Sequence, residues 1–354
     1  MSTKHAPRNG VRRRWLAAAA ALTAVAVVAA GCGTGTGKGA GSGSGSKKVA
    51  IVGFSILKDV NAKATKAFEA TSAGKGVTFS QSYGASGDQS RQVVAGIPAD
   101  VVHFSLEGDI TRLVDEKLVA GDWNAGPTKG IASQSVVVFV VRKGNPKNIK
   151  TWDDLIKPGV GIVTPNPGSS GSARWNILAG WAHATANGGS DADGKAYLKK
   201  FFGNVKALPG SGRDATSAFE GGVGDVLISY ENEAIQNIAK GADLEYILPA
   251  DTLLIQNPAA VTVSAPAAAK SFLDFIESAA GQKIYAENGF RPLPGVDVGS
   301  FTTPGANDPS NPYPAPSTKL FTIDDFGGWS VAAKKFFDEK TGIVTKIQAE
   351  AGAK

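Results

Sequence analysis

The chain has 354 residues, 37 lysines and arginines against 31 aspartates and glutamates, and a formal net charge of +6. Lys4, Arg8, Arg12, Arg13 and Arg14 supply +5 of that before residue 32, with no acid among them, which leaves +1 for everything after. A nearly neutral body with interspersed charges excludes the concentrated basic face of a nucleic-acid binder, and a lone cysteine, Cys32, excludes an internal disulfide.

Residues 1–31 read as a signal peptide: a basic n-region, an apolar run over 15–30, and a small-residue end at Ala29-Ala30-Gly31-Cys32. The run is short for a membrane-spanning helix. Cys32 at the cleavage point resembles a bacterial lipobox, with Ala29 where leucine is usual, and is the expected lipid attachment. Residues 32–46 are almost wholly glycine, serine and threonine, the composition of a flexible tether. Acyl chains on Cys32 would hold a soluble body against a membrane without spanning it.

From residue 47 the composition is globular. Strands are expected at 49–54, 77–82, 100–104, 135–142, 161–164, 205–208, 225–229, 244–248 and 260–264. Helices are expected near 59–71, 88–96, 110–116, 152–156, 173–186, 191–202, 213–220, 231–240, 267–287 and 331–348, with an irregular proline-rich stretch at 292–316. Strands alternating with helices predict an α/β architecture with flanking helices.

Four strand-to-helix junctions share one design. Gly84-Ala85-Ser86-Gly87 precedes the helix from 88, and Ser169-Ser170-Gly171-Ser172 that from 173. Gly210-Ser211-Gly212 precedes 213–220, and Ser229-Tyr230 precedes 231–240. A helix's first turn leaves N–H groups unpaired and partly positive, so a small oxyanion suits each corner. Ligands of open α/β sheets sit beyond the carboxyl ends of strands, where such corners gather. Pattern alone leaves open whether the four face one cleft or are four separate N-caps.

Specific stretches carry a resemblance. They are Val141-Arg142-Lys143-Gly144-Asn145-Pro146-Lys147, residues 152–160, Thr164-Pro165-Asn166-Pro167-Gly168-Ser169-Ser170-Gly171-Ser172-Ala173-Arg174-Trp175-Asn176, residues 224–234 and residues 320–329. With these the chain resembles the periplasmic sulfate-binding proteins of ATP-binding-cassette importers, in lipoprotein form. The resemblance implies a two-lobed, type II periplasmic-binding-protein fold with mixed sheets, flanking helices and a hinged cleft. Lobe 1 is then 47–135 with 247–325, and lobe 2 is 136–246 with 326–354. It also implies a monomeric, extracytoplasmic receptor that passes its anion to a membrane permease, with no catalytic residue, metal or cofactor.

Carried over by position, Ser170 supplies a hydroxyl donor, and Gly171 and Ser172 supply backbone N–H groups. Ser172 stands where glycine is usual. Ser86 matches the donor loop of the other lobe, and Gly212 replaces an alanine that donates through its backbone. Ser55 falls on the first-loop position, although Phe54-Ser55-Ile56-Leu57 departs from the family's tyrosine-aspartate-proline. Tyr230 stands where enteric members carry a tryptophan, which leaves sulfate against thiosulfate open. Arg174 and Arg213 match arginines beside the site, with loop-fixing roles.

A cage of neutral donors suits sulfate, which carries no proton, whereas hydrogen phosphate would set donor against donor. Asp88, near the Ser86 corner, is the acid that could alter this. A larger oxyanion, molybdate or phosphate, is the nearer alternative guest, on the same fold with a different cage size and donor count. A serine hydrolase using Ser169 or Ser170 would need His103 or His183 as base, but His103 sits in an apolar strand run and the surroundings are not a nucleophile elbow. Trp175 and Trp181 are expected in the core rather than as a sugar platform.

Overall fold

In the computed structural model the described residues are 47–352. The expected signal peptide, tether and lipid-attachment Cys32 lie outside them. The strands are β1 (Lys48–Phe54), β2 (Thr78–Gly84), β3 (Val101–His103), β4 (Ile131–Arg142), β5 (Ile162–Val163), β6 (Val205–Ala207), β7 (Val226–Tyr230), β8 (Leu244–Ile247), β9 (Asp251–Val261) and β10 (Lys319–Phe321). Around them lie α1 (Lys58–Glu69), α2 (Ser86–Val94), α3 (Glu107–Asp115), α4 (Trp152–Leu155), α5 (Gly171–Thr185) and α6 (Asp191–Asn204). The remainder are α7 (Gly212–Glu220), α8 (Glu231–Ala239), α9 (Ala267–Glu277), α10 (Ala279–Glu287), α11 (Gly328–Phe337) and α12 (Ile343–Glu350).

The strand order is β2-β1-β3-β9-β4-β7-β5-β6, with β10 beside β9 and β8 beside β4. Two parallel groups, β2-β1-β3 and β7-β5-β6, stand at either side of the long antiparallel pair β4 and β9. β4 changes partner along its length. It lies against β9 as far as Val136, opposite Leu254, and against β7 from Val137, opposite Tyr230. Its run Val136-Val137-Val138-Phe139-Val140-Val141 is buried throughout, as a strand covered on both faces must be.

The expected strand at 260–264 is instead the end of β9, which starts at Asp251. Pro258 hid it, because proline has no N–H to give a ladder. It sits opposite Ile131, where the β4–β9 register shifts, the kind of position a strand proline tolerates. The expected helix 267–287 is two helices. Ser278 is extended and caps α10 by accepting from Gly281 N, and a Cβ at Gly281 would fall 2.1 Å from Phe275 O. The expected helix 331–348 also divides. Asp338 folds the chain back by accepting from the N–H groups of Lys340 and Thr341 between α11 and α12.

Helix α5 is buried almost all round from Gly171 to Ala182, so it is a core helix rather than a surface one. Near its far end His183 Nδ1 is 2.9 Å from Asp251 Oδ2, and Nε2 is 3.5 Å from Asp153 Oδ1. Burial alone would lower the His183 pKa, but the two carboxylates outweigh it and raise it above the ordinary histidine value of about 6.5. A raised folded pKa stabilises the fold fully below about 6.5, and the stabilisation is lost as pH climbs through the folded value. Urea unfolding is therefore expected to show stability declining from pH about 6.5 upward, and His183→Asn should flatten that decline. A parent and variant with parallel pH profiles would remove His183 from the account.

Candidate functional site

Each parallel strand leads, directly or through a short loop, to a glycine- or hydroxyl-bearing corner that opens a helix. β1 leads to Ser55 and a short 3-10 turn, β2 to Ser86, and β3 to Ser105. β5 leads through residues 164–170 to Gly171, β6 to Ser211 and Gly212, and β7 ends at Tyr230 itself. These ends meet. Gly87 N donates to Ser169 O at 3.1 Å, and Ser105 Oγ is 2.6 Å from Tyr230 OH. Arg213 N approaches Ser55 Oγ at 3.4 Å, and Ser169 Oγ donates to Gly210 O at 2.7 Å. The corners are one cluster, not four unrelated caps.

Close packing explains the glycines. A Cβ on Gly171 would lie 2.6 Å from Ser105 Cβ and 2.8 Å from Leu106 Cγ. One on Gly212 would lie 3.0 Å from Ile56 Cδ1 and 3.1 Å from Ser172 Oγ. Only a residue without a side chain lets the first turn of α5 come this near β3's end. Ser170 precedes α5 but does not cap it; its Oγ lies 2.9 Å from Ser172 Oγ, with both residues buried. Ser211, by contrast, does cap, accepting from Asp214 N. Ser170 thus keeps its hydroxyl among the clustered corners.

Ser86 Oγ donates to Asp109 Oδ2 at 2.7 Å and accepts from Ser105 N at 2.8 Å. Its hydroxyl proton is committed, so what Ser86 offers outward is its backbone. The acid beside this corner is Asp109, not Asp88, which faces solvent and pairs with Arg91. Arg213 Nη2 donates to Asp59 Oδ2 at 3.0 Å, and its Nε lies 3.0 Å from Glu233 Oε1 without hydrogen-bond alignment. Burial would lower the Arg213 pKa, but Glu233 and Asp59 raise it. Arg174 Nε donates to Pro167 O at 3.0 Å, with its guanidinium 5.0 Å from the Phe337 ring centre. Burial lowers the Arg174 pKa, and Arg112 and Arg91 push the same way against the pull of Asp109. Arg174 thus ties down the stretch ahead of α5 through Pro167 O, while Arg213 turns its charge to Asp59 and Glu233.

The two histidines among the described residues lie elsewhere. His103 is buried, 3.0 Å from Ser133 Oγ, and burial lowers its pKa to about 3. His183 faces Asp251 and Asp153, while Ser170 Oγ faces Ser172. Trp175 donates from Nε1 to Ser105 O at 2.9 Å and packs edge-on against Trp329; Trp181 packs on Phe336.

Residues 51–291 match the family described as bacterial extracellular solute-binding protein. The chain belongs to that family. The sulfate-binding protein of Synechococcus elongatus is 38% identical over 79% of this chain and 79% of its own. The thiosulfate-binding protein of Pseudomonas aeruginosa is 32% identical over 81% of this chain and 88% of its own. The solved structure of the sulfate-binding protein SubI from Mycobacterium tuberculosis is 43% identical, with a TM-score of 0.76, over 82% of this chain and 99% of that one. The expected resemblance to periplasmic sulfate-binding proteins therefore holds, as does the binding-protein fold with its open mixed sheet and flanking helices. These family relatives are named for binding, not for a reaction.

Sequence reasoning missed Ser105 and Asp109. Ser105 carries the same signal as the other corners, a hydroxyl directly after a strand, but the helix was expected only from residue 110. The polar Glu107-Gly108-Asp109 stretch concealed the first turn of α3, where Asp109 is buried and held by Arg112 at 3.1 Å.

Proposed function

We propose that this chain is a lipid-anchored extracytoplasmic receptor that encloses sulfate between two lobes and delivers it to an ATP-binding-cassette importer. The lobes are 47–135 with 247–325 and 136–246 with 326–354, joined through β4 and β9. The change of partner along β4 between Val136 and Val137 supports that division. Cys32 would carry the anchor and residues 32–46 the tether.

The observation that carries the reading is the meeting of helix N-termini from both strand groups at corners of hydroxyl and backbone groups, with the Asp109 carboxylate taken up by Ser86 and Arg112. Gly171, Ser172 and Gly212 offer first-turn N–H groups, Ser170 a hydroxyl, Ser86 and Ser55 their corner positions, and Tyr230 a phenol. Hydrogen bonds to a charged group contribute roughly 1.5–3 kcal/mol each, and a partly buried helix terminus up to about 2 kcal/mol. Several together offset the loss of a dianion's hydration. The named relatives include both sulfate and thiosulfate binders, and Tyr230 in place of tryptophan keeps thiosulfate as the second guest.

Calorimetry of the chain from residue 32 onward with sulfate, thiosulfate, molybdate and phosphate tests this. Sulfate or thiosulfate should bind tightest, and Ser170→Ala should weaken binding about tenfold to a hundredfold. Preference for molybdate, or an unaltered affinity in the variant, would overturn the reading.

A further inference from the structure

We infer that the cavity walled by Arg91, Arg112, Arg174 and Lys334 seats an acidic segment of the importer's membrane permease, a short run of polypeptide carrying carboxylates beside an apolar side chain. This rests on the receptor reading above and names the surface at which that partner would meet the loaded receptor.

The cavity measures about 1120 Å³ and draws its walls from both proposed lobes. Arg91 on α2 and Arg112 on α3 form one side; Asn166-Pro167-Gly168, Arg174, α11 and α12 form the other. Two acids, Asp338 and Glu339, also line it. Asp338 Oδ1 is taken up locally, by Lys340 N at 3.0 Å, Thr341 N at 2.8 Å and Thr341 Oγ1 at 2.7 Å. Arg91 pairs with the half-exposed Asp88, and Arg112 with Asp109 at 3.1 Å. Arg174 differs from both. Its Nε donates to Pro167 O and its guanidinium lies over the Phe337 ring, and no ion pair with a carboxylate joins these among the described residues. Asp109 pulls on its charge, but that carboxylate is already held by Ser86 and Arg112.

A half-buried guanidinium beside two others, without a carboxylate of its own, gains most from an anion that arrives from outside. Carboxylates suit it, because the arginine fork offers paired N–H donors. Pro167, Phe337 and Val344 add apolar wall, so the guest carries an apolar group next to its charge. Size argues against the transported anion as occupant. The cavity exceeds the roughly 300–1,000 Å³ of pockets that enclose small organic ligands, and one sulfate would leave it nearly empty. A loop of polypeptide fills such a trough. Gly168 on its wall leads straight into Ser169, whose carbonyl accepts from Gly87 N at 3.1 Å across the lobe division. A segment seated here would touch both lobes beside the anion corner, and hinge opening would draw its two walls apart. Charge complementarity at such a surface sets partner choice and encounter rate.

The test measures sulfate uptake by cells in which the full-length chain is the only sulfate receptor, beside the sulfate affinity of the chain from residue 32 onward. Arg91→Glu combined with Lys334→Glu should lower uptake about tenfold or more, since like charges would then meet across the interface. Sulfate affinity and thermal unfolding should stay at the parent's values. Arg91→Gln should lower uptake less, and Arg91→Lys, which keeps the charge, should retain most of it. Parent-like uptake by the reversed pair, or a sulfate affinity that falls in step with uptake, would overturn the inference while leaving the anion reading intact. A second saturable sulfate site, lost in the reversed pair, would show that the cavity holds the free anion and would overturn it as well. Sulfate binding without uptake by the parent would remove the importer reading and this inference with it.

Discussion

Gly171→Ala is expected to lower sulfate affinity at least about a hundredfold while the protein stays folded. The added methyl would meet Ser105 Cβ at 2.6 Å and Leu106 Cγ at 2.8 Å. Ser105 cannot retreat, since its backbone is tied to Ser86, Trp175 and Asn257. Overpacking of this kind costs roughly 1–3 kcal/mol. The larger loss comes from geometry: the first turn of α5 must back away from β3's end, carrying its N–H groups out of reach of a shared guest. Losing two hydrogen bonds to a charged group would account for roughly 3 kcal/mol or more. Alanine is the best helix former, so α5 itself is not weakened. Calorimetry paired with thermal unfolding separates the two effects. Parent-like sulfate affinity in the alanine variant would show that the corners need not approach this closely.

Arg291→Met is expected to destabilise the fold by about 3–5 kcal/mol, the range for leaving one member of a buried ion pair alone. Arg291 holds Glu231 with Nε at 2.7 Å and Nη2 at 2.9 Å, and the Glu231 side chain is only 1% exposed. Burial raises the Glu231 pKa and Arg291 restrains the rise. Without the guanidinium the carboxyl should stay protonated to higher pH, so the variant's deficit should shrink as pH falls. The second change Glu231→Gln should recover part of the loss at neutral pH. Urea unfolding of parent, single and double variants checks this, and a loss under about 1 kcal/mol for Arg291→Met would contradict it.

The corners were legible because their chemistry is local. Glycine beside a hydroxyl ahead of a helical run can be read from adjacent letters, as at Ser170, Gly171 and Gly212. Their meeting was not legible, since Gly87 on Ser169 and Ser105 on Tyr230 join residues 82 and 125 positions apart. Ser105 escaped notice because β3 spans three residues and the polar start of α3 reads as loop. Among the folds of the chain, β9 was obscured by Pro258, and the breaks at Ser278 and Asp338 by apolar periodicity that runs on across them. Local side-chain bonds at Ser278 and Asp338 broke the run, and at Pro258 a shift in the β4–β9 register admitted the proline.

Helix α5 touches the anion corner with Gly171 at one end and, through His183, the first residue of β9 near the other. Fifteen residues of helix make a rod roughly 22 Å long, and its burial leaves it little room to bend. Such a strut would couple a displacement of the Gly171 corner to the strand that threads the middle of the sheet. The proposed guest and β9 would then share one mechanical path, pinned at its far end by His183 on Asp251.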